Sequence, residues 1–253
     1  MNELQQNLID YTLHLADNAL ILGHRNSEWC GHGPVLEQDI AITNISLDLI
    51  GQARNFYQYA AVLKGGDRTE DDFAYFRDAP EFRNVLLVEL PKGDWAFTTL
   101  RQFFFSSYQL IFFSRLGSNA DEQLAAIATK SLKEIQYHLR WSSEWVIRLG
   151  DGTDESHKRI AAALDQLWSC THELFLPAPY ETEMVRLRLA PDPRLLREQW
   201  IDNIKPVLLQ AELNLPDVTF INAGGKEGRH TPHLQQLLTE MQSVARAYPE
   251  AKW

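Results

Sequence analysis

The sequence contains little of what a secreted or disulfide-bonded protein needs. Cysteine occurs twice in 253 residues, with no CxxC pair. We therefore expect Cys30 and Cys170 to be buried thiols in a reducing compartment. Residues 1–6 provide neither the basic region nor the apolar region of a secretory signal. Together these absences predict a cytoplasmic protein.

Long hydrophobic runs and an excess of positive charge are also lacking. The most apolar stretch, residues 103–113, is bounded by Arg101 and Arg115 and interrupted by polar side chains. A membrane-spanning helix needs about 20 apolar residues, so this stretch predicts a core helix and no membrane partner. Lys and Arg number 24 against 34 Asp and Glu, a net charge of −10, which disfavours nucleic acid as a partner.

The familiar short catalytic motifs are missing as well. The sequence has no GxSxG and no HExxH. The glycine-rich residues 224–228 lack both the spacing of a phosphate-binding loop and a preceding strand. We predict that they form a turn before the last helix.

Apolar residues recur at helical spacing along most of the chain, and no segment shows the sustained alternation of a strand. The four longest predicted helices span residues 4–24, 35–63, 95–116 and 121–149. Further helices are predicted over 154–174, 194–213 and 232–247, with shorter helical pieces within 70–89. Four helices of about 20 residues or more predict an all-α fold, a long four-helix bundle with additional flanking helices.

Long bundles can hold a di-iron site, which needs a Glu from each of two helices and a Glu-x-x-His from each of the other two. Of the eight histidines, only His157 and His230 have a carboxylate three residues earlier, at Asp154 and Glu227. Both pairs fall at predicted loop–helix junctions and not in the middle of a long helix. Surface capping is therefore the favoured interpretation of these pairs, and metal binding the minor one.

The middles of the long helices contain too few ligands for a di-iron site. No acidic residue lies between Asp94 and Asp121, so helix 95–116 supplies none. The candidates that remain are Asp17, Asp48, Glu134 and His138. We expect these four to form a small buried polar network, because buried charges must be paired. Its possible charge partners are Arg54, Lys130 and Lys133. A reduced, unusual metal site is the alternative.

Several longer strings resemble the C subunit of the multicomponent phenylacetyl-CoA epoxidases, also called phenylacetate-CoA oxygenases. They include EWCGH at 28–32 and KEIQYHLR at 133–140. The others are residues 35–41, 48–54, 81–84, 143–146, 148–153, 228–231 and 246–249. The resemblance runs nearly end to end and is carried by unusual strings.

The resemblance implies a single ferritin-like helical domain over residues 1–253, a structural subunit without a working metal site. In such complexes a related A subunit holds the di-iron centre and epoxidises the aromatic ring of phenylacetyl-CoA with O₂. An NADPH-linked reductase supplies electrons, and a small B subunit belongs to the same assembly. The resemblance thus implies no cofactor and no catalytic residue in this chain, and the A subunit, B subunit and reductase as its partners.

The resemblance also implies an origin for the polar residues in the middles of two long helices. Residues 133–138 resemble a Glu-x-x-His turn in which Ile135 replaces the ligand glutamate. Asp48 and Gly51 would mark a second such turn that has lost its histidine. Asp48, Glu134 and His138 are therefore expected to be the remnant of a degenerate site.

Two functions of other classes stay open beside that of a structural subunit. The chain could be an oxygenase or oxidase with its own unusual metal site, or a CoA-binding module with no scaffold role. The sequence supplies neither the ligand set for the first nor a phosphate-binding motif for the second.

Overall fold

Four long helices form the centre of the molecule, which a computed structural model describes for residues 2–118, 121–217 and 220–251. These helices are α1 (Glu3–Ser27), α2 (Leu36–Lys64), α5 (Trp95–Leu116) and α6 (Glu122–Gly150). α1 packs against α2, α5 packs against α6, and α2 also contacts α6. The described ranges contain no strand. The predicted all-α long bundle with flanking helices is confirmed.

The remaining helices are shorter and lie on the flanks. They are α3 (Glu70–Tyr75), α4 (Leu86–Glu89), α7 (Asp154–Thr171), α8 (Pro179–Arg186), α9 (Arg197–Gln210), α10 (Pro232–Met241) and α11 (Ser243–Ala247). α4 and α8 pack on α1, whereas α7 and α9 pack on α5 and α6. Among the helices of the described residues, none has the length and apolar character needed to cross a membrane.

α5 begins and ends at the predicted residues, and it is the most deeply buried of the long helices. Asp94 caps it, with Phe97 N donating to Asp94 Oδ1 at 2.9 Å. Of its 22 residues, 18 are buried, because α6, α7 and α9 all pack against it. An apolar helix surrounded on several sides is what its sequence predicts.

The predicted end of α1 at residue 24, next to Gly23, is wrong, because the helix continues to Ser27. Gly23 instead allows close packing on α2. A Cβ at this position would lie 3.2–3.3 Å from Ile50, Leu49 and the Ser46 carbonyl oxygen. Glycine is therefore used here for the contact between two helices and not for a turn.

Three of the predicted flanking helices are shorter than expected. α7 ends at Thr171 and is followed by a 3₁₀ turn over His172–Phe175. α9 is likewise preceded by a 3₁₀ turn over Pro193–Leu196. The last predicted helix divides into α10 and α11 at Gln242, whose buried amide donates to the carbonyl oxygens of Ala74 and Arg77.

Candidate functional site

Asp48, Glu134 and His138 lie together where α2 and α6 meet. Asp48 Oδ2 is 3.0 Å from Nε2 of His138, whose side chain is fully buried. One turn away, Gln52 Nε2 donates to Glu134 Oε2 at 2.9 Å. Each contact joins the two helices and gives one polar atom of a buried side chain a partner, whereas His138 Nδ1 and Gln52 Oε1 have none among the described residues. That these residues are the remnant of a metal site stays a prediction.

Asp17 does not belong to this cluster, so the predicted network of four is wrong. The fully buried Asp17 carboxylate pairs with the Arg77 guanidinium and accepts from Tyr57 OH at 2.5 Å. Arg83 N also donates to it at 2.8 Å. The chain between α3 and α4 thus passes over α1, and it supplies two of the three donors, Arg77 and Arg83. Periodicity could not indicate this, because residues 76–85 contain no long helix.

The prediction of the three charge partners for this network is wrong as well. Arg54 is exposed and pairs with Glu70 at 3.0 Å on the surface. Lys130 and Lys133 are exposed on α6. The cluster between α2 and α6 instead uses the neutral amide of Gln52, which costs less to bury than a lysine.

Where α1 meets α5, the contact is also made by neutral groups. Asn26 Nδ2 donates to Gln102 Oε1 at 2.7 Å, and Gln102 Nε2 donates to Ser106 Oγ at 2.7 Å. Within the described residues no group of three or more His, Cys, Asp or Glu side chains could hold a metal ion. A di-iron centre needs four carboxylates, and the residues present here do not fit one.

Neither carboxylate–histidine pair found by spacing forms a joint site. His157 Nδ1 lies 2.8 Å from the Gly150 carbonyl oxygen, and Asp154 is exposed in the first turn of α7. In the second pair, Glu227 forms a surface ion pair with Arg229 at 3.2 Å. Spacing therefore identified two histidines with structural roles at chain turns.

Surface capping is the wrong interpretation of His230. Its side chain is 4% exposed and its Nδ1 lies 2.6 Å from Oε2 of the fully buried Glu89. Burial lowers the pKa of His230, but the hydrogen bond and the charge of Glu89 outweigh it and hold that pKa above its usual value. The partner lies 141 residues away in the chain, so local spacing could not identify it.

The glycine-rich residues 224–228 form a turn before α10, as predicted, but the turn is buried. Lys226 is 3% exposed, and its Nζ donates to Glu181 Oε2 at 2.9 Å. The backbone N of Gly224 donates to Glu173 Oε1 at 2.8 Å. Burial raises the pKa of Glu173. The turn thus fixes two buried carboxylates on the flank of the bundle, which sequence reasoning did not find.

A tryptophan cluster closes one end of the bundle and was also missed. The ring of Trp95 meets the rings of Trp29, Trp141 and Trp145 edge to face, with centroids 5.0–5.7 Å apart. Gln38 Oε1 accepts from Nε1 of both Trp141 and Trp145. The cluster unites the ends of all four long helices. Its nearest sequence signal is the string at 28–32.

The two cysteines differ in environment. Cys170 is buried as expected, and burial raises its pKa. Cys30 is exposed, which corrects the expectation of two buried thiols. It lies in the turn after α1, and its Sγ is 3.0 Å from the Thr43 hydroxyl.

A surface cleft of about 520 Å³ lies between α3 and α11 and touches none of the residues above. Its lining includes Asp71 and Asp72 together with Tyr75, Phe76 and Tyr248, and none of the described residues that line it is a Lys, Arg or His. Two carboxylates and no cation do not suit the phosphates of a CoA. The cleft therefore offers no support for a CoA-binding module.

Comparisons with known proteins connect this geometry to a family. The sequence model of the PaaA_PaaC family, described as phenylacetic acid catabolic protein, matches residues 1–253. The chain is also 46% identical over 246 residues to the C subunit of the 1,2-phenylacetyl-CoA epoxidase of Escherichia coli (strain K12). That alignment covers 97% of this chain and 99% of the relative.

Proposed function

Because the chain belongs to the phenylacetic acid catabolic protein family, we propose that it is a non-catalytic structural subunit of a multicomponent phenylacetyl-CoA epoxidase. The observation that carries the proposal is the ligand shortage inside the bundle. α5 contributes no carboxylate, and Asp48 and His138 contact each other directly. The relative that covers nearly the whole chain is named as the C subunit of such an epoxidase, which supports the same role.

The proposed role is to pair with the di-iron A subunit and hold it in its active form. A partner that binds only the folded, site-competent form of a protein stabilises that form by mass action. The chemistry then takes place in the A subunit, with electrons from an NADPH-linked reductase and with the small B subunit in the same assembly. This chain would supply binding energy and shape, and none of the reacting atoms.

Purification of the A subunit with and without this chain tests the proposal. We expect the A subunit alone to be poorly soluble or inactive, and the pair to convert phenylacetyl-CoA in the presence of the reductase. An A subunit that turned over normally by itself would refute the structural role.

Metal analysis of this chain, purified alone from iron-rich cells, separates the proposal from an oxygenase with its own site. The expected iron content is close to zero. About two iron atoms per chain, as a di-iron site requires, would instead mean that the chain holds an arrangement of ligands of its own. It would then be assayed as an oxygenase.

A further inference from the structure

α2 and α6 present their outer sides next to each other on one face of the bundle. The helices run antiparallel, since Gln38 of α2 contacts Trp145 and Gln52 contacts Glu134. The flanking helices α4 and α8 pack on α1, and α7 and α9 pack on α5 and on α6. α3 reaches the second half of α2, where Glu70 bonds Arg54 and Gln58.

On this face α2 carries a row of exposed apolar side chains. Leu36, Ile40 and Leu47 are 71%, 52% and 61% exposed. Spacings of four and seven residues place them on one side of the helix. An apolar row of this length on a long helix is typical of an interaction surface.

The neighbouring row on α6 is basic, although the whole chain has a net charge of −10. It consists, at steps of three or four residues, of the exposed Lys130, Lys133, Tyr137, Arg140, Glu144 and Arg148. None of its four cations forms an ion pair with a described residue. Arg140 lies over the ring of Tyr137, 5.7 Å from its centroid. The row therefore offers unpaired positive charge beside an apolar surface.

Gly51, one turn after Leu47 on the same side of α2, gives an independent observation. Glycine inside a helix is less stable than alanine, and a Cβ at Gly51 would have no atom within 4 Å. Gly23 and Gly150, by contrast, are packed against other parts of this chain. Nothing within the described chain requires Gly51, which points to close approach by another molecule.

We propose that this face, formed by α2 and α6, is where the catalytic A subunit docks. The docking surface of the A subunit would present apolar side chains flanked by carboxylates, which complement the apolar row on α2 and the basic row on α6. The inference rests on the proposed function. The whole of α6 and the half of α2 that α3 leaves uncovered offer roughly 650 Å², which lies within the roughly 600–1,000 Å² per partner of a stable interface. A second copy of this chain fits less well, because it would bring further cations to a surface that already has four unpaired ones.

Two variants perturb the face without disturbing the core. Gly51→Gln adds a long side chain at the point of closest approach, and Lys133→Glu with Arg140→Glu reverses the charge of the basic row. Matched controls lie elsewhere on the exposed surface. They are Ala162→Gln on α7, and Lys158→Glu with Lys205→Glu, which changes the net charge equally.

The measurement is the affinity of each variant for the A subunit, together with the melting temperature of the isolated chain. We expect both face variants to bind at least about tenfold more weakly and both controls to bind like the wild type. Gly51→Gln should also melt at a higher temperature, because glutamine is the better helix former. Loss of binding together with a higher melting temperature separates lost docking from lost folding.

The outcomes that overturn the inference are distinct from failure of the proposed function. If the wild-type chain does not bind the A subunit, the proposed function fails. If it binds, and both face variants bind equally well, the function stands and the docking face is wrong. A dimer of this chain alone that Gly51→Gln dissociates would assign the face to a second copy and would likewise refute the inference.

Discussion

Replacement of Arg77 by methionine tests the buried pair that ties the irregular segment 76–85 to α1. Asp17 is fully buried and Arg77 is its charge partner. Methionine retains much of the apolar stem of Arg77 but removes the guanidinium. The carboxylate would keep Tyr57 OH and Arg83 N as donors and lose its counter-charge.

The expected loss is about 3 kcal/mol of unfolding free energy. Removal of one partner of a buried ion pair costs about 3–5 kcal/mol, and the two remaining donors favour the lower end. Arg77 Nη1 also donates to the Glu81 carbonyl oxygen at 3.0 Å, and Nε donates to that of Phe73 at 2.6 Å. Because Arg77→Met removes these two hydrogen bonds as well, the loss of unfolding free energy should not fall much below about 3 kcal/mol.

A double-mutant cycle separates the ion pair from the other contacts of Arg77. Asp17→Asn alone leaves the guanidinium buried without a counter-charge and should also cost about 3 kcal/mol. The double variant Asp17→Asn with Arg77→Met removes both charges. We expect it to cost clearly less than the sum of the two single changes.

Urea unfolding followed by far-UV circular dichroism gives the free energies, with the slope of each transition compared among variants. Arg54→Met is the matched control, because the Arg54–Glu70 pair lies at the surface and should contribute no more than about 1 kcal/mol. If Arg77→Met cost no more than this control, the pairing of Asp17 with Arg77 would not stabilise the fold, and the reasoning would be refuted.

Three further changes test other parts of the structure. Glu134→Ala should cost roughly 1–3 kcal/mol in urea unfolding, because it strands the buried amide of Gln52, and should leave the chemistry of the A subunit unchanged. His230 has a raised folded pKa, so its stabilisation is fully present below its unfolded pKa of about 6.5 and is lost as pH rises through the folded value. His230→Gln should therefore destabilise most near pH 6, measured as unfolding free energy against pH, and a pH-independent cost would contradict this. Gly228→Ala should lower the melting temperature, since Gly228 has a φ of +81° and a Cβ would lie 2.2 Å from a carbonyl oxygen.

Helix positions could be read from the sequence wherever local signals and packing agree. α5 begins after the Asp94 cap and ends at Leu116, just before Gly117, as predicted, because its neighbours bury it on several sides. The end of α1 was misplaced because Gly23 looks like a helix terminator in sequence, whereas here it allows close contact with α2. A glycine that ends a helix and a glycine that lets two helices approach have the same local sequence signal.

The candidate site was recoverable only where both partners lie on long helices. Helical periodicity identified Asp48, Glu134 and His138, which the structure brings together. It could not assign a partner to Asp17, because Arg77 belongs to a segment whose path follows from tertiary packing. The pairing of Glu89 with His230 was missed for the same reason. Periodicity tells which residues share a face of a helix, and not which irregular segment crosses that face.

The burial of α5 limits where in this molecule a function can lie. Its rings occupy the centre of the bundle, and its own Gln102 bonds to Ser106 one turn away and to Asn26 of α1. A bundle packed in this way can act on other molecules through its surface. At Gly51, helix stability and the proposed docking make opposite requirements of that surface. A larger residue at this position should stabilise the helix and weaken docking.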